Sequence, residues 1–183
     1  TLRVWDLTDM NNVTSRVLNG HTDLVFSVIK LNETTIVSGS EDATLRVWDL
    51  TDMNNVTSLV LIEHVNDVNV VMKLNDTTIV SGSYDTTLRV WDLTDMNNVT
   101  SRALEGHTRA VHSVMKLNET TIVSGSDDKT LRVWIYGGED ENNVVLSDDS
   151  DSDEGMSPPV SPTLSSIMTR AVRPRDFAFD GLD

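Results

Sequence analysis

Residues 35–50 read TIVSGSEDATLRVWDL, and the string returns little altered as TIVSGSYDTTLRVWDL at 78–93 and TIVSGSDDKTLRVWIY at 121–136. The interval is 43 residues each time, without a gap, and TLRVW also stands at Thr1. A self-similarity of fixed period is read before any domain count, because it marks a unit repeated in space as well as in sequence. Residues 1–43 and 87–129 share 35 identities in 43, so these copies look like recent duplicates. Length alone allows one ordinary domain in 183 residues, but the repeat overrides that prior.

Within a unit each apolar run is short and rich in β-branched residues: Val25–Leu31, Thr35–Val37, Leu45–Trp48 and Val56–Leu61. Runs of that kind predict four strands. Between them lie Asn32-Glu33, Ser40-Glu41-Asp42 and Asp52-Met53-Asn54-Asn55. Such side chains favour tight turns by bonding their own backbone or tolerating positive φ. Each unit is therefore a small antiparallel meander, and four short strands bury too little surface to offset the entropy of ordering them. Neighbours must stack on both faces, and stacking around an axis makes a propeller.

Charge is unevenly placed. Residues 1–138 hold 18 acidic and 11 basic side chains, while 139–183 hold 11 and 3, for a formal net charge of −15. Phosphate backbones and anionic lipid surfaces are bound chiefly through Lys and Arg, so neither nucleic acid nor a membrane is an expected partner. No apolar run approaches the ~20 residues that span a bilayer. There is no cysteine, which removes disulfides and thiolate metal sites and fits a reducing compartment. Six Asn-x-Thr sequons, at Asn12, Asn32, Asn55, Asn75, Asn98 and Asn118, would suit glycosylation in a secreted protein, but they recur because the repeat recurs. The opening Thr1-Leu2-Arg3-Val4-Trp5 is the closing segment of a repeat, which reads as a fragment cut inside a blade. After Trp134 the pattern breaks at Ile135-Tyr136-Gly137-Gly138. Asn143–Leu146 is the expected outer strand of the last blade, and 147–183 an acidic, Ser/Pro-containing disordered tail. Within it Ser150, Ser152, Ser157 and Ser161 resemble kinase sites, and the apolar and Arg residues of 167–183 suggest a short docking peptide. Together these features favour a cytoplasmic or nuclear location.

Gly20-His21, Ser38-Gly39-Ser40-Glu41-Asp42 and Trp48-Asp49, recurring at fixed offsets in three copies, resemble the WD-repeat family over residues 1 to about 135. The resemblance implies an all-β fold, a partial β-propeller of three four-stranded antiparallel blades plus the outer strands of another. It places blades at 24–61, 67–104 and 110–146, with an outer half-blade at 1–18 and the whole propeller region at 1–146. An arc of this size leaves blade faces open, so self-association is expected.

The chemistry-bearing residues form three sets: His21, Ser38, Asp42 and Trp48; His64, Ser81, Asp85 and Trp91; His107, Ser124, Asp128 and Trp134. Ser, His and Asp suggest a hydrolase triad, but threefold repetition points to scaffold, since a nucleophile needs one activated serine beside an oxyanion hole. By resemblance each set is a hydrogen-bond chain from indole to hydroxyl to imidazole to carboxylate. The middle unit departs from the pattern, with Glu63 in place of the Gly before His64, and a carboxylate there would make that blade the most sensitive to pH if it protonated the imidazole.

Of eight differences between the first and third units, five fall in the loops leading into the inner strand and the turns after the second strand, or at the inner strand's start. By resemblance the contact positions there are Leu24, Phe26 and Glu41; Asp67, Asn69 and Tyr84; and Ala110, His112 and Asp127. Aromatic anchors among acidic and amide groups suit a protein or peptide partner. The expected function is thus a non-catalytic scaffold, with no catalytic residue, cofactor or metal site. One alternative starts from SGSxDxTLRVWDL, which looks like the propellers of F-box substrate receptors of cullin-type ubiquitin ligases. A phosphodegron pocket needs several face arginines, and only Arg109 is expected there. The other alternative is a truncated remnant without independent function.

Overall fold

The computed structural model describes residues 1–135, and among them every regular element is a β-strand. Thirteen strands form four antiparallel sheets. The first, of two strands, pairs β1 (Leu2–Asp6) with β2 (Thr14–Leu18). Blade 1 is β3 (Val25–Lys30), β4 (Thr35–Ser40), β5 (Leu45–Asp49) and β6 (Thr57–Leu61), paired in that order. Blade 2 repeats it as β7 (Val68–Lys73), β8 (Thr78–Ser83), β9 (Leu88–Asp92) and β10 (Thr100–Leu104). Blade 3 has β11 (Val111–Asn118), β12 (Thr121–Ser126) and β13 (Leu131–Ile135). The expected outer strand at Asn143–Leu146, the tail at 147–183 and its serine sites lie outside the described residues.

The four-strand meanders of blades 1 and 2, and the three described strands of blade 3, match the sequence reading, with one difference. The second strand runs on through Ser38-Gly39-Ser40, where the apolar pattern stops at Val37. Ser38 and Ser40 are buried, Ser38 accepting from the Trp48 indole at 2.8 Å and Ser40 from the Asp42 amide at 3.2 Å. Gly39 is required by the neighbour: a Cβ there would lie 2.7 Å from Val68 Cγ1 of blade 2. The same close approach recurs at Gly82, where a Cβ would meet Val111 of blade 3 at 2.8 Å.

Blades stack through their first strands, β3 on β7 and β7 on β11. Between blades 1 and 2, Val37, Leu45, Val47 and Leu61 meet Val68, Val71, Ile79 and Trp91 in one apolar cluster. Between blades 2 and 3, Leu88, Val90 and Leu104 meet Val111, Ile122 and Trp134. The core therefore lies between sheets, so each blade depends on its neighbours for burial. Polar links cross the same seams: Val71 N–H donates to Ser27 Oγ at 3.0 Å, Lys73 Nζ donates to the Leu31 carbonyl, and Asn69 Nδ2 donates to the Val111 carbonyl at 3.0 Å.

The β1–β2 sheet is the expected outer half-blade, and it borders blade 1. Arg16 Nη2 donates to Asn54 Oδ1 at 2.7 Å, and Leu18 is buried. Its inner neighbour differs from that of a full blade, for a cleft lined by Leu2, Arg3 and Trp5 opens toward Val25 and Val28 of β3.

Candidate functional site

Two groups of side chains carry the functional reading, one inside each blade and one on the loops that connect first and second strands to their neighbours. The internal group assembles in all three blades. In blade 2, Trp91 Nε1 donates to Ser81 Oγ at 2.8 Å, His64 Nε2 lies 2.7 Å from the same hydroxyl, and His64 Nδ1 lies 2.7 Å from Asp85 Oδ2. Blade 1 repeats the chain through Trp48, Ser38, His21 and Asp42, and blade 3 through Trp134, Ser124, His107 and Asp128. The tautomer that satisfies every group has Nδ1–H donating to the carboxylate and Nε2 accepting from the serine hydroxyl.

Each carboxylate is further held by a threonine two residues on. Thr44, Thr87 and Thr130 hydroxyls donate to Asp42, Asp85 and Asp128 at 2.6, 2.7 and 2.6 Å. Burial works against the charge of Asp42, but hydrogen bonds from Thr44, the Thr22 amide and His21 outweigh it and hold the carboxyl at about 2. Asp85 and Asp128 feel the same opposition from burial and are pulled still lower, Asp85 foremost by His64 and Asp128 foremost by Thr130. The turn that carries these groups is strained, since Ala43, Thr86 and Lys129 take φ of 65°, 75° and 69°.

This arrangement is unlike a nucleophile. The serine oxygen already accepts from an indole, and Ser38, Ser81 and Ser124 are buried, with no approach for a substrate carbonyl. Among the described residues no group of three His, Cys, Asp or Glu is placed to hold a metal ion. A second serine missed by the sequence reading pins the loops together. Ser83 Oγ donates to the Asn66 carbonyl and accepts from the Asp85 amide, both at 3.0 Å, and Ser126 does the same with Arg109 and Asp128 at 3.0 and 3.1 Å. Its signal was present, as the last residue of Ser-Gly-Ser in each copy.

Glu63 leaves its blade's chain intact. Its carboxylate lies 3.5 Å from Arg89 Nη1 and is mostly exposed, so it serves the third-strand arginine and not His64. In blade 1 that place is Gly20, where a Cβ would come 2.7 Å from Arg46 Nη1. Arg46 and Arg89 also donate to Ser58 and Ser101 on the outer strand at 2.9 and 2.8 Å.

On the loop face the structure brings most of the expected contact residues into one row. Phe26, Asn69 and His112 each occupy a bulge in the first strand, where the register steps from Val25 to Ser27, Val68 to Val70 and Val111 to Ser113. A bulge residue has no partner across the ladder, so its side chain is re-aimed. The Tyr84 ring meets His112 of the next blade edge-on with centroids 6.4 Å apart, and His112 Nε2 lies 3.0 Å from Asp127 Oδ2. The Tyr84 amide donates to the Asp67 carbonyl at 2.8 Å, which joins Asp67 to the same row. Toward blade 1, partial burial and the nearby charges of Asp23 and Asp67 raise the Glu41 carboxyl above its ordinary value. Leu24, Phe26 and Tyr84 are exposed.

Two expected contact residues stand differently. Ala110 is 4 % exposed, because a lone methyl cannot clear the loop whose backbone closes over it, its carbonyl accepting from the Asp127 amide at 3.0 Å. It presents no surface to a partner. Asn69 is partly buried and spends its amide on Val111. Asp23, by contrast, belongs with Glu41, a proximity invisible before the loop is folded. Three of the six Asn-x-Thr sequons also gain a structural reason: Asn32, Asn75 and Asn118 accept from the amide two residues on at 3.0, 2.9 and 3.0 Å, closing turns.

The family model described as "WD domain, G-beta repeat" matches residues 12–49, 55–92 and 98–134, more than half of the chain. No curated protein matches this chain.

Proposed function

We propose, because this chain belongs to the WD-repeat family, that it is a non-catalytic scaffold holding a protein or peptide partner on its loop face. The observation that carries the reading is the row from Asp23 and Glu41 through Asp67 and Tyr84 to His112 and Asp127, which crosses three blades. It offers exposed aromatic anchors, Phe26 and Tyr84, beside Asp23, Glu41 and Asp67, none of which forms an ion pair among the described residues. Interfaces concentrate affinity in such aromatic residues, and charged neighbours select the partner. The buried Ser–His–Asp sets support the non-catalytic half of the reading, since each serine is occupied by tryptophan.

A ligase-receptor role finds no comparable support. Arg46 and Arg89 bond outer-strand serines and Arg132 lies against Gly106, which leaves Arg109 and Lys129 as the basic residues of the described loop face. The test is a quantitative pull-down comparing the wild-type chain with a Phe26→Ala, Tyr84→Ala double variant. Partners of the loop face should drop at least tenfold in recovery. Undiminished capture of every partner would overturn the proposal.

A further inference from the structure

Asn19-Gly20 is the one Asn-Gly step in the chain, every other asparagine being followed by Asn, Asp, Glu or Val. Glycine has no Cβ, so its main-chain nitrogen is the least hindered of these neighbours. The step lies in the loop between β2 and β3, held between two anchors: Leu18 is 4 % exposed and the His21 side chain 2 %. Asn19 itself is exposed. So are Ile62 and Glu105, which hold the same place at the two stacked seams, so the exposure belongs to the repeat. Among the described residues neither the Asn19 side chain nor the Gly20 N–H takes part in a hydrogen bond, whereas Asn32, Asn75 and Asn118 are tied into their turns.

We propose that Asn19 is a site of spontaneous self-modification, and that its isoaspartyl product disconnects the polar chain of blade 1. The deprotonated Gly20 nitrogen attacks Asn19 Cγ, the N–Cγ bond forms and the Cγ–Nδ2 bond breaks. The side-chain amide leaves as ammonia, taking up the proton that the nitrogen gave. Water then opens the five-membered imide. Addition at the side-chain carbonyl restores the main chain with aspartate at 19, while addition at the main-chain carbonyl routes the chain through Cγ and frees an α-carboxylate. The two products differ in effect. A carboxylate on an ordinary backbone is already native to this place, for Glu105-Gly106 precedes His107 in blade 3, and His107 Nδ1 lies 2.7 Å from Asp128. Isoaspartate instead lengthens the backbone by a methylene between the buried Leu18 and His21. Little slack is available, because Gly20 packs so closely on Arg46 that a Cβ would come within 2.7 Å of Nη1. The displacement falls on His21, which leaves its positions 2.8 Å from Asp42 and 2.7 Å from Ser38. Two buried groups then lose a partner. Blades 2 and 3 escape, since Ile62 and Glu105 carry no side-chain amide.

The test ages the full 183-residue chain in warm, mildly alkaline buffer and follows its tryptic peptide 17–30 by mass spectrometry. Asn19 should convert at least about tenfold faster than any other asparagine, since its neighbour alone lacks a Cβ. Enzymatic methylation of the freed α-carboxylate should identify isoaspartate in that peptide. The aged chain should unfold at a urea concentration lower by about 0.5–1 M than the fresh chain. Asn19→Gln, aged in parallel, should keep its midpoint, and fresh Asn19→Asp should match fresh wild type. Both substitutions leave the fold intact, because the other copies carry Ile and Glu at this exposed place. Amide hydrogen exchange should quicken over 35–49 of blade 1 and stay unchanged over 78–92 of blade 2. Four results overturn the proposal: an Asn19 that converts no faster than the other asparagines, an isoaspartyl chain as stable as the fresh one, an Asn19→Asp chain as damaged as the aged one, or exchange that quickens equally in both blades.

Discussion

Trp5 and Trp91 end the same pentapeptide, Thr-Leu-Arg-Val-Trp, on third strands paired to their outer strands in the same register. Arg3 reaches Ser15 as Arg89 reaches Ser101. Yet one indole is 56 % exposed and the other 2 %. The difference is that Trp91 has β8 beside it, with Ser81 to accept its N–H, and blade 1 beneath it. Outer-strand pairing is thus a local property of the repeat, while burial and the polar chain are properties of an assembled blade.

The largest break in that comparison should come from the tryptophans themselves. Trp91→Ala is expected to cost about 3–5 kcal/mol in urea unfolding, while Trp5→Ala should cost less than about 1 kcal/mol. All such measurements belong at one protein concentration, since association shifts apparent stability. If the two costs were equal, the half-blade would be as well packed as blade 2. Next is the hydroxyl. Ser81→Ala strands the indole N–H and the His64 Nε2 acceptor together and should cost about 2–4 kcal/mol, against less than about 0.5 kcal/mol for Ser15→Ala.

Acid sharpens the contrast further. The Asp42 carboxyl is held at about 2 in the folded chain against an ordinary 3.8, so its contribution is complete above about pH 4 and is lost as the pH falls toward 2. Asp42→Asn should lower stability at pH 6 on the order of 1–2 kcal/mol and flatten the fall between pH 4 and 2.5. Asp6 of the half-blade is also lowered, chiefly by Thr8, but it is exposed, and Asp6→Asn should leave the acid limb unchanged. A smaller effect, of opposite sign, is expected at the strained turn between second and third strands. Thr86→Gly should stabilise by about 0.5–1 kcal/mol, as glycine accepts φ of 75° without a Cβ clash. Smallest is Glu63→Gly, expected to change stability by less than about 0.5 kcal/mol because the pair with Arg89 is long and open to solvent. A larger shift, growing through the range where histidine titrates, would instead tie Glu63 to His64.

Much of this architecture is legible in the chain because the repeat announces its own period, and three copies of His, Ser, Asp and Trp at fixed offsets leave little freedom in how they meet. What was illegible depended on neighbours. The second strand continues through Ser-Gly-Ser since Gly39 admits Val68, a fact of contact between units. Ala110 is counted among face positions by its offset, yet a methyl is too short to emerge there. Asp23 and Glu41 come together only when the loop of one blade folds, and Asp67 reaches Glu41 only once two blades stand side by side.

The skipped rung at Phe26, Asn69 and His112 carries a consequence for how such a protein changes over time. A residue answerable to no opposite strand can be exchanged for one of another size or charge without renegotiating the ladder around it, and the three copies already carry phenyl, amide and imidazole there. Duplication can therefore multiply the frame cheaply while each new module acquires its own taste, so selectivity evolves one module at a time on a skeleton that need not be reinvented.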